Sequence, residues 1–452
     1  MKLTDLNRER CIGANAYLAE FGALRVLIDA GLHPKKLGYA ATPDYDRIPD
    51  GSLDLIVITH SHLDHAGSLP VILRRHPQAI VLCSMPTRVL VPRMLRNSCN
   101  VMGKQKMEYH IPEYPLYTFA EIDELEHRLK ALPFRQNQTF TAHGESIALT
   151  LYPAGHVAGA CGIKIVHNKE RIFFTGDVLF AAQRNLPGAA FPEEPFDIVV
   201  AETTRGCTER PPENSREREH KRLIETIDHT LSRGGSVLIP SFALGRMQEM
   251  FSLIYEHQLA GTLPRCNVFS TGLGMDLVNY FDTISRKTKW LNFSRHIIQK
   301  LRVKPLKHRL QAGVDVAQKG IYVLSSGMLV PRTPSYSVAA SLLDFKHNSL
   351  CFVGYCDPET PGGQLLATAQ DGSFLFEQLD YVARVRAHIE KFDLSGHADR
   401  EEILKFTLDR EPRTIVLSHG DPPARAWFED AFLEESTKTK VVDPEPGIAY
   451  EL

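Results

Sequence analysis

The chain has 452 residues, of which 43% are hydrophobic and 23% charged, with a formal net charge of −2. That length exceeds one ordinary hydrophobic core and predicts two or three domains, or one domain with a large insertion. The near-neutral balance excludes a protein that binds nucleic acid through its overall charge, so any polyanion must meet a local patch.

The opening MKLTDLNRER lacks the apolar core of a signal peptide. No apolar run approaches the roughly 18–20 residues of a membrane span. Eight scattered cysteines, none in a C-x-x-C pair, suit a reducing compartment. These features predict a cytoplasmic protein without membrane contact. In chain order, IGANAYLAEF and ALRVLIDAG flank a turn at Gly22 and predict a hairpin. LDLIVITH is an apolar strand with polar residues at its carboxyl end, AGSLPVILRRHP reads as a helix, and QAIVLCS as another strand. Between Tyr109 and Phe134 the pattern is polar and irregular, apart from a helical stretch at AEIDELEHRLKAL. Strands return at SIALTLYPAG, CGIKIVHN, RIFFTGDV and DIVVAETT, several ending in small or polar residues, as in α/β proteins whose sites sit at strand ends.

TRGCTERPPENSRERE, with Pro211 and Pro212, marks a boundary. Ser215 is the expected N-cap of a helix in which Leu223, Ile224, Ile227 and Leu231 recur at helical spacing. SVLIPSFALGRMQEMFSLIYE reads strand, loop, helix, and CNVFSTG, KGIYVLSSG and LCFVGYC add strands. The tail holds strand-like VARVRAHIEKFDLSG, a helix at DREEILKFTL and a final strand TIVLSHG. The expectation is a discontinuous outer domain, 1–207 and 386–452, interrupted by an α/β insertion over 208–385.

The chemistry concentrates in HSHLDH, where His60, His62, Asp64 and His65 fall within six positions. His60 and His62 alternate as on an extended segment, so both rings can face one side. Such a string can serve two ions, two imidazoles taking one while the carboxylate and third imidazole take its neighbour. Nitrogen and oxygen donors without thiolates suit zinc, and also manganese or iron. Later strand ends offer His156 between glycines, Asp177 after an apolar strand, and His419 in VLSHGD. Asp29, in LIDAG, is placed to orient a ligand histidine, since liganding imidazoles donate their other N–H. Ser325, Ser326 and Gly327 at one strand end, and Ser241, Gly245 and Arg246 at a helix start, suit phosphate contacts, although a simple strand–helix turn explains either equally well. The basic run with Arg295, Lys300, Arg302, Lys304, Lys307 and Arg309 could track a phosphate backbone, but is more economically a solvated face.

HSHLDH, GHVAG, TGD and the late His419 resemble the metallo-β-lactamase fold, in matching order from Gly13 to His419. AETTRG, DLSGHADREE and VLSHGD, with SFALGRMQE and SSGML, resemble the β-CASP nucleases. Within that group the chain looks more like the compact bacterial and archaeal relatives of the mRNA 3′-end cleavage endonuclease than the longer RNase J-like enzymes. The resemblance implies an α/β protein, a metallo-β-lactamase αββα sandwich with an inserted α/β β-CASP domain. It implies one zinc on His60, His62 and His156, a second on Asp64, His65 and His419, and Asp177 bridging them. It pairs Glu202 with His397 as a positioned acid for the leaving oxygen, so that Asp64, Glu202 and His397 are the residues expected in catalysis. A structural ion pair is the competing reading of Glu202 and His397.

The implied activity is zinc-dependent hydrolysis of single-stranded RNA, endonucleolytic, 5′-to-3′ exonucleolytic or both. A histidine at the third motif, here His419, goes with the RNA-processing branch of the family. A DNA nuclease or small-phosphodiester hydrolase is the alternative enzyme, and a non-catalytic RNA-binding subunit the alternative of another class. A second copy of the chain or an RNA-processing protein is the expected partner. Three segments depart from the family pattern: Arg205 stands where relatives often have an aromatic residue, SSGMLVPRTPS lacks a glycine pair, and GYCDPETPGGQLL is less glycine-rich.

Overall fold

Leu55, Ile56, Val57 and Ile58 are all buried, and the alternation of a strand divides them between two layers. In the computed structural model, which describes residues 1–211, 213–306, 310–314 and 317–452, Leu55 and Val57 enter a core shared with a second sheet, while Ile56 and Ile58 enter one shared with helices. An apolar run without alternation is the mark of a strand covered on both faces. Pro212 of the expected boundary and Lys307 and Arg309 of the basic run lie outside the described residues.

The chain divides into two units, one of Met1–Ala182, Gly188–Arg210 and His397–Leu452, the other of Gln183–Pro187 and Pro211–Gly396. In the first unit, the described residues form two seven-stranded sheets. One runs in the order Ala449–Glu451, Lys2–Asp5, Tyr17–Phe21, Leu24–Ile28, Leu55–Ile58, Ile80–Ser84, Leu129–Leu132. The other runs Lys440–Val442, Thr414–Ser418, Ile198–Glu202, Glu170–Phe174, Cys161–His167, Glu145–Pro153, Gln138–Ala142. Their facing sides interlock through Val26, Ile28 and Leu82 from one and Leu149, Ile163, Phe174 and Val200 from the other. The outer face of the first sheet packs on helices that include Leu69–Arg75, Met85–Tyr109 and Phe119–Arg128. That of the second packs on Arg400–Leu408 and Pro422–Glu435, with Ile415 and Leu417 against Phe406, Phe428 and Phe432. This is the helix–sheet–sheet–helix order that the motif resemblance implies.

The second unit carries a parallel five-stranded sheet, in the order Val268–Phe269, Ile321–Leu324, Val237–Pro240, Ser349–Phe352, His388–Lys391. Arg216–Ser232 and Arg246–Leu259 cover one face, through Leu223, Ile227, Met250 and Phe251. Pro334–Leu342 and a two-stranded hairpin, Ser373–Phe376 with Tyr381–Arg384, cover the other. Ser215 does cap the first of these helices, its hydroxyl accepting from the Arg218 N–H.

Several elements differ from expectation. VARVRAHIEKF is not one strand of the outer domain: Tyr381–Arg384 closes the hairpin, and His388–Lys391 extends the inserted sheet in register with Ser349–Phe352. The chain therefore returns to the first unit at His397 rather than at 386. The reason is that a strand's sheet is chosen by its hydrogen-bonding neighbour, which composition does not reveal. TIVLSHG is not the last strand, since Lys440–Val442 and Ala449–Glu451 add one edge strand to each sheet of the sandwich.

Candidate metal centre

The strand Leu55–Ile58 ends just before Thr59 and His60, and His62 keeps extended backbone before the short helix Leu63–Ala66 begins. This turn is held against a neighbouring loop by backbone hydrogen bonds, Ala30 N–H to His65 O (2.8 Å), Leu32 N–H to Leu63 O (2.7 Å) and Asn15 N–H to Asp64 O (2.8 Å). His156 enters from the loop after Glu145–Pro153, where Gly155 has φ +75 and an added Cβ would lie 2.2 Å from Leu179 O. Asp177 follows the strand Glu170–Phe174, Glu202 ends Ile198–Glu202, and His419 follows Thr414–Ser418. These three strands are adjacent and parallel, so their carboxyl ends share one edge of the sheet. Open sheets place their sites at such edges.

The side chains form two sets. In the first, His62 Nδ1 lies 3.1 Å from both His60 Nε2 and His156 Nε2. In the second, His65 Nε2 lies 3.2 Å from His419 Nε2 and 4.0 Å from Asp64 Oδ2, and His419 Nε2 lies 3.6 Å from Asp64 Oδ2. Asp177 stands between them. Its Oδ2 is 3.6 Å from His60 Nε2 and from His156 Nε2, and its Oδ1 is 3.3 Å from His65 Nε2. His60, His65, His156, Asp177 and His419 are buried, while His62 and Asp64 are partly exposed.

This donor set fits divalent metal ions. Nitrogen ligands about 2.0–2.1 Å from one tetrahedral ion lie roughly 3.4 Å apart, close to the spacings within the first set. Asp177 Oδ1 is buried with no aligned hydrogen-bond donor among the described residues, a costly orphan unless a cation faces it. Burial, with His65 alongside, pushes the His60 imidazole well below its ordinary pKa, and burial also lowers that of His62. Both rings therefore keep open lone pairs. Burial opposes ionisation of Asp177, yet His419, His65 and His60 hold its carboxyl well below the usual range; burial is likewise outweighed at Asp64, by His65 and His419. Burial disfavours a charged His65, but Asp177, Asp29 and Asp64 outweigh it and push that pKa well up. Such a surplus of buried negative charge is what a bound cation neutralises.

Asp29 is fully buried, with φ +64, and its Oδ2 is 2.7 Å from His65 Nδ1. It also accepts from the Thr59 N–H (2.7 Å) and the Asn15 amide (3.0 Å). With Nδ1–H taken by Asp29, His65 presents Nε2 to the second set. Beside the first set, His397 Nδ1 lies 2.9 Å from Glu202 Oε2, and Glu202 Oε1 accepts from the Val178 N–H (2.6 Å). Burial opposes protonation of His397, but Glu202 reverses this and raises its pKa. Its ring is 4.5 Å from that of His156.

Sequence reasoning missed Thr59, Asn15 and Thr204, which hold these groups through hydrogen bonds. Hydroxyl and amide side chains carry no spacing signal of their own. Thr59 precedes His60 and Thr204 lies inside AETTRG, the nearest thing to a clue.

The candidate substrate residues lie in the second unit. Ser241 follows Val237–Pro240, and Ser325, Ser326 and Gly327 follow Ile321–Leu324, so adjacent parallel strands bring both groups to one sheet edge. Ser241 is buried and donates to Ile239 O (3.2 Å), while Ser326 Oγ accepts from the Val330 N–H (2.9 Å). Arg246 differs from expectation. Its guanidinium is buried in an ion pair with Glu249, which also takes Arg216 at 2.9 Å, so it is committed within its own unit. Of the basic run, Lys304 donates to Asn267 (2.8 Å) and Arg295 lies 4.0 Å from Asp282.

Residues 10–219 match the metallo-β-lactamase superfamily, and residues 382–444 match the Zn-dependent metallo-hydrolase RNA specificity domain. The chain is similar to an Integrator complex subunit 11 homolog of Dictyostelium discoideum, 26% identical over 96% of this chain and 59% of that protein. It is similar to the endoribonuclease YSH1 of Candida glabrata, 26% identical over 98% of this chain and 58% of that protein. It also resembles the transcription termination factor FttA of Pyrococcus abyssi, 29% identical over 93% of this chain and 67% of that protein. The chain thus spans 58 to 67% of the length of these curated relatives. Among solved structures, a protein of unknown function from Enterococcus faecalis superposes with a TM-score of 0.58 at 12% identity, covering 100% of this chain and 99% of that one, a likeness of fold.

Proposed function

We propose, from the premise that this chain belongs to the metallo-β-lactamase superfamily and its β-CASP group, that it is a two-zinc ribonuclease hydrolysing phosphodiester bonds of single-stranded RNA. The observation that carries the proposal is the paired, buried ligand geometry, with the two oxygens of Asp177 turned to different sets and the Glu202–His397 pair alongside. The matched RNA specificity domain and the endoribonuclease name of one relative favour RNA as the substrate.

In this reading the first unit is the metallo-β-lactamase domain and the second the β-CASP insertion. His60, His62 and His156 would hold one ion, Asp64, His65 and His419 the other, and Asp177 would touch both. Zinc, or manganese or iron in its place, supplies Lewis acidity toward a phosphoryl oxygen and a nucleophile at neutral pH. The chain's own residues do the rest. Asp29 keeps the His65 ring in the ligand tautomer. Glu202 holds the His397 Nδ1–H and favours the imidazolium. His397 would then protonate a departing alkoxide from its Nε2–H. Ser325, Ser326 and Gly327 are proposed to contact phosphate through hydroxyl and backbone N–H groups.

The test is cleavage of end-labelled single-stranded RNA and DNA of one sequence, by protein of measured metal content. Wild type is expected to cut RNA. Asp177→Ala should lose both metal and activity. His397→Ala should keep its metal and slow the chemical step by about 10²–10⁴-fold, the usual contribution of a positioned acid. The product ladder separates internal from end-directed cutting. Preference for DNA, or no cleavage by a protein holding two metals per chain, would overturn the proposal.

A further inference from the structure

Thr204 stands where the metal-ligand set and the acid pair meet. Its Oγ1 is hydrogen-bonded to Glu202 Oε2, lies 3.0 Å from His419 Nδ1, and lies 3.1 Å from the His419 carbonyl oxygen. A hydroxyl has one proton to give and two lone pairs to receive with, so the directions can be worked out.

His419 Nε2 is the nitrogen turned toward His65 and Asp64. A neutral imidazole that offers Nε2 as a lone pair carries its proton on Nδ1. The nearer acceptor for that proton is Thr204 Oγ1 at 3.0 Å, against Asp177 Oδ1 at 3.4 Å. The threonine proton must then go elsewhere. The His419 carbonyl already receives the Thr203 N–H, at 3.3 Å. Glu202 is an acceptor-only carboxylate, and charge-assisted hydrogen bonds are the stronger ones. So Thr204 receives from His419 and gives to Glu202, which receives from His397 on the same oxygen.

We propose that Thr204 is a positioning residue whose single hydroxyl couples the ligand His419 to the Glu202–His397 pair, so that holding metal and aiming the acid share one hydrogen-bonded chain. The proposal rests on the reading of His419 as a ligand. The backbone supports it: His419 has φ +45, a left-handed conformation that a non-glycine residue adopts only when its surroundings hold it there. Those surroundings are the Thr203–Thr204 turn. Thr203 Oγ1 donates to Ser418 O (2.8 Å), and an added Cβ on Gly420 would lie 2.1 Å from that same hydroxyl oxygen.

The experiment compares Thr204→Val, which keeps the shape and removes the hydroxyl, with Thr204→Ser, which keeps the hydroxyl, in the full chain. Zinc affinity is read by competition with a chelator and needs no nuclease activity. A wild type that binds zinc but leaves RNA uncut would therefore count against the proposed function and leave the test of Thr204 standing. Thr204→Val should bind the weaker zinc roughly 10–100-fold less tightly, the usual effect of losing a partner behind a ligand. With RNA it should lose kcat while KM stays near wild type. Thr204→Ser should restore both, and His397→Ala should lose kcat without losing zinc.

A folded Thr204→Val with wild-type zinc affinity would overturn the proposal. So would Thr204→Ser as impaired as Thr204→Val, which would assign the effect to packing of the methyl group. A check that uses no variant is proton NMR of the zinc-loaded protein. A histidine Nδ1–H protected from exchange and close to the Thr204 methyl supports the chain of bonds, and its absence overturns it.

Discussion

Two site residues adopt backbone conformations that non-glycine residues seldom take, Asp29 at φ +64 and His419 at φ +45. Such conformations persist where the fold over-determines them, and they cluster at functional sites. Each has a clear result here: Asp29 reaches the His65 Nδ1, and His419 turns one nitrogen to His65 and the other to Thr204. Not every perturbed acid belongs to the centre. Asp5 is fully buried at the end of Lys2–Asp5, and burial pushes its pKa up to about 6 even with Arg425 near. A carboxyl whose folded pKa is raised contributes stability below its unfolded pKa and loses it as pH rises through the folded value. Asp5→Asn removes that ionisation. Its stability relative to wild type should therefore be more favourable at pH 8 than at pH 5, by roughly 1–3 kcal/mol, read as the difference in urea midpoints. An unchanged difference would mean that Asp5 keeps an ordinary carboxylate pKa.

Among the elements, the four-residue turn that carries Asp64 and His65 depends on the loop beside it. Gly31 lies so close that an added Cβ would be 1.9 Å from Asp64 O and 2.5 Å from Asn15 N. Both atoms belong to the backbone hydrogen bond that joins Asn15 to Asp64. Gly31→Ala must push the turn aside, at a cost of about 1–3 kcal/mol for overpacking. Zinc affinity should fall with it, although residue 31 supplies no ligand. Calorimetry and zinc titration on one preparation check this, and a variant with wild-type values in both would show that the loop yields freely. At this scale much was legible in sequence. The hairpin at Gly22, the strands before Asp177 and Glu202, and the Ser215 cap follow from local patterns. The 25-residue helix Met85–Tyr109 did not stand out. Its interior Pro92 reads as a break, whereas the buried face of Leu90, Val91, Leu95 and Cys99 holds it together.

Across the whole molecule, the candidate ligands come from chain positions 60 to 419, and the His65–His419 contact spans 354 residues. Metal held there would tie the turn after Leu55–Ile58 in one sheet of the sandwich to the end of Thr414–Ser418 in the other. Removing it with a chelator should lower the unfolding midpoint. Each site occupied at a hundredfold its Kd contributes about 2.7 kcal/mol, and restored zinc should recover the loss. A midpoint indifferent to chelator would show that the folded state gains nothing from metal. The amino-acid sequence by itself determined the local things: apolar strands that end in polar residues, the string of candidate ligands from His60 to His65, and an interruption of the outer fold near Pro211. These rest on periodicity and spacing, which are properties of neighbours in the chain. Only the tertiary structure decided that His388–Lys391 extends the inserted sheet, that Arg246 is committed to Glu249, that the two oxygens of Asp177 face different histidines, and that Thr204 touches both Glu202 and His419. Each depends on how segments distant in sequence pack, and a hydrogen bond or a shared oxygen is settled by ångström distances that no spacing in the chain encodes.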